Sequence, residues 1–211
     1  MLTKIIILFI AYTIHLNAFG QVDATNYKSI ADKYLEAKSS KKFYEKLKFK
    51  SFYSTDTDEG DWYFEADQLK SNTIDSFVSI TFQYSFFSKK LNATLDFEVT
   101  VNRDSSINNA VDLSCYIPEC ILQDSDCDLM TKDQAIAIAK KSKIKYSTDF
   151  QIELTKPINK REYYWYIIGF NYKISKSLNK QTPFRFTANQ QRIINARTGE
   201  VISYEDFRKD D

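Results

Sequence analysis

The chain has 211 residues, 43% of them hydrophobic and 27% charged, enough to bury the core of one large domain or two small ones. Only four glycines and three prolines occur, which excludes collagen-like, low-complexity and disordered chains. The formal net charge is +1, and no stretch forms the concentrated basic face that a nucleic-acid-binding protein needs, so nucleic acid is not expected as a partner.

Residues 1–20 have the three regions of a secretory signal peptide. Lys4 supplies the positive charge, Ile5–Leu16 is mostly apolar, and small residues precede an expected cleavage site after Gly20. A transmembrane anchor is the alternative, but it needs roughly 20 apolar residues and this stretch is shorter. We therefore expect an exported protein, secreted or periplasmic, with no membrane span after cleavage.

The first predicted element after the signal peptide is a helix. Apolar residues recur at three- and four-residue steps from Asn26 to about Lys48, with a break or kink at Ser39-Ser40. A polar, acidic segment follows and places Gly60 in a loop. Trp62–Ala66 is then predicted as a short strand.

Two clear strands come next. Residues 78–86 and 95–101 alternate apolar and polar side chains, which predicts antiparallel strands with one buried and one solvated face. Lys89–Asn92 is short enough for a hairpin connection. A further strand is expected near Val111–Ile117, so residues 21–118 predict a helix followed by a β-meander.

Three cysteines, Cys115, Cys120 and Cys127, lie close together in the sequence. After export, two of them are expected to form a disulfide and one to remain a thiol, and the sequence does not select the pair. Chain entropy predicts about 2 kcal/mol of stabilisation for a Cys115–Cys120 bridge and about 3 kcal/mol for Cys115–Cys127. A catalytic thiol is the alternative, but it would lack a histidine to activate it.

Residues 119–130 are rich in cysteine and aspartate and are predicted as a linker. Within them, Asp124, Asp126 and Asp128 alternate in a way that can hold calcium in a loop. An EF-hand loop would need a glycine next and a glutamate at position twelve, but the chain has Leu129 and then an alanine there. We therefore expect a solvated acidic segment that favours the next helix N-terminus, and no metal site.

A second helix and sheet are predicted after the linker. Thr131 and Gln134 have the spacing of a capping box, which opens a helix that continues to Lys141. Gly199 lies where the last turn needs a positive φ. Four strands are expected, at about residues 150–154, 163–172, 184–196 and 201–204. The chain as a whole is thus predicted to be α+β, with two tandem units that each pack a helix on an antiparallel sheet, the second at residues 131–205 and followed by a polar tail at 206–211.

Few catalytic mechanisms are compatible with this composition. The only histidine, His15, lies in the predicted signal peptide, which excludes Ser-His-Asp catalysis, Cys-His catalysis and zinc sites that need histidine. The exported chain keeps Gly60, Gly169 and Gly199, too far apart for a phosphate-binding loop. We predict no catalytic residue, no cofactor and no enzyme. A hydrolase that uses two carboxylates is the remaining catalytic alternative, although no spacing among the 28 acidic residues selects a pair.

Three segments of the second half resemble a known family. Thr131–Lys140 is similar to the opening helix of the PepSY domain, with its threonine cap and small alanines, and Ile193–Ile202 is similar to the family's closing hairpin. Tyr164–Ile168 fits the aromatic strand between them, and Asn195 stands where the family usually has an aspartate. The resemblance covers about residues 129–205. PepSY domains occur in peptidase propeptides and in many exported bacterial proteins.

The resemblance implies a non-catalytic module that contacts a peptidase and inhibits or assists it, or that regulates activity in the cell envelope. The chain has no His-Glu-x-x-His peptidase motif, so the partner would be another protein. We therefore predict an exported, non-enzymatic binding module whose expected role is to inhibit or regulate a peptidase. An envelope structural or adhesion protein is the alternative function.

Two kinds of surface could serve such binding. Trp62, Trp165 and the 14 tyrosines could anchor an interface, but most are expected in the core because they fall on strands with apolar neighbours. An exposed edge strand that adds an extended peptide is the other route. The sequence does not select the edge and does not predict an oligomeric state.

Overall fold

The computed structural model describes residues 22–56, 60–71, 73–74, 77–108, 113–142, 149–157, 160–174, 184–202 and 207. The predicted signal peptide, residues 1–20, lies outside these described residues. The chain forms two compact units that contain helices and two four-stranded antiparallel sheets. The predicted α+β fold with helix-and-sheet units is confirmed.

The two units are interleaved along the sequence. The first comprises the described residues within Met1–Lys38, Lys48–Tyr84 and Glu98–Asn109, and the second comprises those within Ser39–Leu47, Ser85–Phe97 and Ala110–Asp211. This division differs from the predicted boundary at residues 119–130. The alternation of apolar and polar residues along a strand shows which face each residue occupies. It does not show that one end of a strand belongs to one unit and the other end to the other unit, as is the case for residues 79–88 and 93–102.

The first unit packs one helix on a sheet. The described elements with residues in this unit are α1 (Ala24–Lys38), a 3-10 helix (Ala66–Lys70), and strands β1 (Val22–Asp23), β2 (Lys48–Asp56), β3 (Gly60–Glu65), β4 (Thr73–Ile74), β5 (Ser79–Ser88) and β6 (Ala93–Asn102). Helix α1 buries Ala24, Ala31 and Leu35, and the sheet, in the order β3-β2-β5-β6, buries aromatic side chains that include Phe52 and Phe82. A separate two-stranded sheet joins β1 to β4.

The helix predicted from Asn26 to about Lys48 is shorter than expected. It ends at Lys38, and a separate short helix, α2 (Lys41–Tyr44), follows. The hydroxyl of Ser40 accepts a hydrogen bond from the backbone N–H of Phe43 at 3.2 Å and so caps the new helix. The predicted break at Ser39-Ser40 is confirmed, and the continuation of one helix to residue 48 is wrong.

The strands predicted at Trp62–Ala66, 78–86 and 95–101 are present as β3, β5 and β6. Gly60, which was predicted to lie in a loop, is instead the first residue of β3 and has φ of 84°. Side chains on β6 alternate between buried and exposed up to Thr100, but β5 departs from the expected pattern. Thr81 and Ser85, on its predicted solvated face, are buried, and Thr81 Oγ1 lies 2.8 Å from Thr100 Oγ1. Because β5 is an inner strand of the sheet, side chains of the neighbouring strands cover its small polar residues.

The second unit packs a helix on the other four-stranded sheet. Besides α2 and the parts of β5 and β6 that lie within Ser85–Phe97, its described elements are a 3-10 helix (Leu113–Cys115), α3 (Glu119–Leu122), α4 (Lys132–Lys141), β7 (Asp149–Thr155), β8 (Tyr164–Ile174), β9 (Phe184–Asn195) and β10 (Val201–Ile202). Helix α4 packs against β8 and β9 of the sheet, whose order is β10-β9-β8-β7. The small residues Ala135 and Ala139 are fully buried and allow α4 to lie close, and Trp165 on β8 is 1% exposed.

The strand predicted near Val111–Ile117 is wrong in its described part, residues 113–117. The backbone N–H of Ile117 donates to the carbonyl of Leu113 at 3.0 Å, so the chain makes a helical turn. Both side chains are buried at a spacing of four residues, which is a helical rather than a strand period.

Two other segments are more buried than the sequence suggested. The predicted linker at residues 119–130 contains α3, which buries Ile121 and Leu122. In the predicted polar tail, Phe207 is buried and its ring packs edge-on against Tyr164, with centroids 5.1 Å apart. One or two apolar residues within a polar segment carry no periodic signal, so the sequence did not distinguish them from solvated residues.

The capping box predicted at the start of α4 is confirmed. The backbone N–H of Gln134 donates to Thr131 Oγ1 at 3.3 Å, and the Gln134 side-chain oxygen accepts from the Thr131 backbone N–H at 2.8 Å. Two N–H groups at the helix N-terminus are thereby satisfied.

The turn between β9 and β10 also follows its prediction. Gly199 has φ of 78°, and the Asn195 side-chain oxygen accepts hydrogen bonds from the backbone N–H groups of Arg197 and Thr198 at 2.9 and 3.0 Å. An amide oxygen accepts these bonds as a carboxylate oxygen would, so asparagine in place of aspartate keeps the turn.

Candidate functional site

Two of the three aspartates in the acidic run of the predicted linker form ion pairs. Asp124 Oδ2 lies 2.5 Å from Lys42 Nζ, and this hydrogen bond lowers the pKa of the Asp124 carboxyl from its ordinary value. Asp128 Oδ2 lies 3.2 Å from Arg197 Nε, and Asp126 is exposed. Within the described ranges, no group of three or more His, Cys, Asp or Glu residues could hold a metal ion.

The disulfide joins Cys120 to Cys127, and Cys115 is a half-buried free thiol. The two bridges considered from the sequence both used Cys115, so neither is the one formed. The bridged loop brings the Ser125 N–H within 2.8 Å of the Cys120 carbonyl. The bridge joins two cysteines seven positions apart in sequence, on either side of Asp124. We interpret it as a structural cross-link that constrains this loop.

The two tryptophans have opposite environments. Trp165 is buried, and its indole N–H donates to the Met130 carbonyl at 3.2 Å, as expected for a core residue. Trp62 is 53% exposed and the adjacent Tyr63 is 68% exposed, whereas most of the tryptophans and tyrosines were expected in the core. These two side chains belong to β3, an edge strand of the first unit's sheet.

The two faces of β3 differ in chemistry. Asp61, Tyr63 and Glu65 share the face on which Tyr53 lies, because Tyr53 pairs with Tyr63 in register and their ring centroids are 5.0 Å apart. Trp62 lies on the opposite face with Phe64. We call Asp61, Trp62, Tyr63 and Glu65, together with Tyr53, the β3 edge patch.

Phe64 anchors β3 to the sheet. Its ring stacks on that of Phe52, which is fully buried, with centroids 4.9 Å apart. Among the described strands, β3 pairs only with β2. At the end of β3, the Glu65 backbone N–H donates to the Gln68 side-chain oxygen at 2.8 Å. No described strand pairs with the other side of β3.

A hydrogen-bond network holds the polar face of the patch. Glu98 accepts from the Tyr53 hydroxyl at 3.1 Å and from the Gln83 amide at 2.8 Å. The Gln83 side-chain oxygen accepts in turn from the Ser51 hydroxyl at 2.5 Å. On the edge strand itself, the Thr55 hydroxyl donates to Asp61 Oδ1 at 2.8 Å. The carboxylates of Asp61 and Glu98 therefore have neutral groups as their hydrogen-bond donors.

Burial raises the pKa of the Tyr53 phenol above its ordinary value. A hydrogen bond with Thr81 opposes this shift, and the charge of Glu98 adds to it. Tyr53 therefore stays protonated across the physiological range and remains a hydrogen-bond donor to Glu98.

Three described carboxyl groups have a lowered pKa: Asp23, Asp104 and Asp124. Hydrogen bonds from Thr25, Ser106 and Lys42, respectively, are the main causes. A general acid in a carboxylate-pair hydrolase needs a raised pKa. These three groups stay ionised at neutral pH and do not fit that role.

The second sheet also has an edge strand, β7, that pairs only with β8 among the described elements. Gln151 and Glu153 are its exposed side chains, while Leu154 is buried and Phe150 and Ile152 are half-buried. No large apolar side chain of its described residues is exposed. The β3 edge therefore differs from the β7 edge by its aromatic surface.

Sequence reasoning missed the β3 edge patch, although a signal was present. Three consecutive aromatic residues, Trp62, Tyr63 and Phe64, occupy one strand between two acidic residues. Successive side chains on a strand point to opposite faces, so one strand cannot bury all three against a single helix layer.

No helix in the described part of the chain has the length and apolar character needed to span a membrane.

No protein-family model matches the chain, and neither a curated protein nor a solved structure is significantly similar to it.

Proposed function

We propose that the protein is an exported, non-enzymatic binding module that recognises another protein through the β3 edge patch and thereby inhibits or regulates a peptidase. The observation that carries the proposal is the exposure of Trp62 and Tyr63, 53% and 68%, on one edge strand. Natural edge strands are usually protected by lysine, proline or a covering segment. Gly60–Glu65 contains neither lysine nor proline.

Large aromatic side chains at the surface supply most of the binding energy in many interfaces. Here they project from both faces of a strand whose backbone is open on one side, so a partner can use side chains and backbone together. Hydrogen bonds among Tyr53, Gln83 and Glu98 restrain the Tyr53 side chain on the polar face of the patch. A preformed surface of this kind loses less conformational entropy when it binds.

Export rests on the signal-peptide pattern of residues 1–20 and is supported by the Cys120–Cys127 bridge, since disulfides persist mainly in oxidising compartments. The peptidase as partner class rests on the PepSY resemblance of residues 129–205. The Thr131 capping box and the Asn195 turn lie within the segments on which this resemblance rests.

The test uses residues 21–211 as bait on the secreted and envelope fractions of the native organism. We expect capture of a peptidase whose activity changes in proportion to added bait. The double variant Trp62→Ala/Tyr63→Ala should lose capture. Phe87→Ala is the matched control, because Phe87 is also 53% exposed but lies outside the patch.

Capture that is equal for the wild type and the double variant would show that the β3 edge patch is not the binding surface. Capture of envelope structural proteins, with unchanged peptidase activity, would contradict peptidase regulation and favour the structural or adhesion role.

A further inference from the structure

The open side of β3 has a length and a chemistry that restrict what can pair with it. The strand comprises six residues, Gly60–Glu65, and spans about 20 Å when extended. An added strand of similar length would place its side chains alternately beside the polar face and the Trp62 face. Side chains of the partner that complement the polar face therefore differ from those that complement the Trp62 face.

The polar face is acidic. Asp61 and Glu65 are exposed on the edge strand β3, and Glu98 is exposed on β6, at the opposite edge of the same sheet. Neither Asp61 nor Glu98 forms an ion pair with a described residue, since their partners are the hydroxyl and amide groups of Thr55, Tyr53 and Gln83. The Tyr63 ring beside them offers a face to a cation. A Lys or Arg side chain complements this surface in charge and in shape.

The opposite face is apolar. Trp62 is half-exposed next to Phe64, and it pairs in register with Ser54, which is small and buried. An aliphatic or aromatic side chain of an added strand would cover the exposed part of the indole. Burial of apolar area on this side would add to the backbone hydrogen bonds of the new pair.

We propose that the partner adds an extended segment to β3 in which Lys or Arg residues alternate with apolar residues. This inference rests on the proposed function and specifies its partner chemistry. The basic side chains pair with Asp61 and Glu65 and lie against Tyr63, and the apolar side chains cover Trp62. The segment binds as a fifth strand of the β3-β2-β5-β6 sheet.

Three fluorescent eight-residue peptides test the inference on residues 21–211. One alternates lysine with valine, one has the same composition in two blocks, and one alternates glutamate with valine. We expect the alternating basic peptide to bind at least tenfold more tightly than the other two at low salt, and its affinity to fall as salt is raised. Methylation of alternate backbone nitrogens in that peptide should abolish binding, because the added strand needs its N–H groups.

Matched variants locate the binding. Asp61→Asn/Glu65→Gln should weaken the binding of the alternating basic peptide several-fold, and Trp62→Ala should do the same. Glu153→Gln, which removes an exposed carboxylate from the β7 edge, should have no effect. Amide hydrogen exchange should slow in β3 and stay unchanged in β7 when the peptide is added.

Equal binding of the three peptides, or protection of β7 instead of β3, would overturn the inference. If the native partner still depends on Trp62 and Tyr63 while the peptides show no preference for alternation or charge, the proposed function stands and the partner chemistry is wrong. If neither the native partner nor the peptides respond to changes in the β3 edge patch, both fail.

Discussion

Lys28 and Asp32 form an ion pair one helical turn apart on α1, with Nζ–carboxylate distances of 2.5 and 2.7 Å. The Lys28 ammonium also lies 4.7 Å from the centroid of the Phe49 ring and 5.1 Å from that of Tyr84. The Tyr84 hydroxyl donates to Asp32 at 2.9 Å. With side-chain exposures of 15% and 30%, this pair is better shielded from water than an ordinary surface ion pair.

We expect Lys28→Ala to lower the free energy of unfolding by about 1–2 kcal/mol, because it removes an ion pair, two cation–π contacts and the packed stem of the side chain. Lys41→Ala is the matched control, since Lys41 also contacts a glutamate four residues on, Glu45, but with exposures of 88% and 60%. Its effect should stay within about 0.5 kcal/mol. Urea unfolding followed by circular dichroism measures both, and equal losses would show that the aromatic contacts contribute nothing.

Gly60 and Gly199 both have positive φ. A comparison of their alanine variants separates the cost of backbone strain from the cost of steric contact. A Cβ at Gly199 (φ 78°) would lie 3.2 Å from Ile138 Cδ1 and 3.3 Å from Met130 Cε, whereas a Cβ at Gly60 (φ 84°) would meet nothing within 4 Å. Gly60→Ala should cost about 1 kcal/mol from strain alone, and Gly199→Ala about 2 kcal/mol because two side chains must also shift. Urea unfolding of both variants tests the order, and a larger loss for Gly60→Ala would contradict it.

Local signals predicted much of the fold because each depends on a few neighbouring residues. The Thr131 capping box, the Gly199 turn and the alternation along β6 needed no knowledge of distant contacts. The division into units and the burial of Phe207 depend on residues far apart in sequence, and Phe207 packs against Tyr164 more than 40 positions earlier. The periodic pattern of apolar residues does not show which residues far apart in the sequence pack against each other.

The candidate site illustrates the same limit. The run from Trp62 to Phe64 was visible, but its exposure depends on β3 lying at the edge of the sheet, which is set by strand order. The cysteine spacing likewise allowed three pairings. The bridge between Cys120 and Cys127 follows from α3 and the loop after it, neither of which the sequence predicted.

The Cys120–Cys127 bridge should stabilise the folded protein by about 2 kcal/mol, because it constrains a short loop in the unfolded chain. Cys127→Ser should lose this amount, and a reducing agent should have the same effect on the wild type but none on the variant. Cys115→Ser is the control and should stay within about 0.5 kcal/mol, since Cys115 is the free thiol. Urea unfolding with and without reductant measures the difference. A reductant effect that disappears in Cys115→Ser would show that another pair forms.

The ion pair between Lys42 and Asp124 predicts a specific loss of stability in acid. A hydrogen bond from Lys42 holds the pKa of Asp124 below its ordinary value in the folded protein, and the nearby charge of Lys90 lowers it further. A carboxyl group whose pKa is lower in the folded state stabilises that state above its unfolded pKa, near 4, and this contribution disappears as the pH falls through the folded value.

Asp124→Asn should therefore unfold at lower urea concentration than the wild type at pH 7, and the difference should shrink between about pH 4 and pH 2. High salt should also reduce it, because the pair is partly exposed. The exposed Asp126 supplies the matched control, and Asp126→Asn should leave the pH dependence unchanged. Urea unfolding followed by Trp165 fluorescence in a Trp62→Phe background reports on the unit that contains the pair. A difference that stays constant from pH 7 to pH 2 would mean that the ionised carboxylate of Asp124 does not provide the stabilisation.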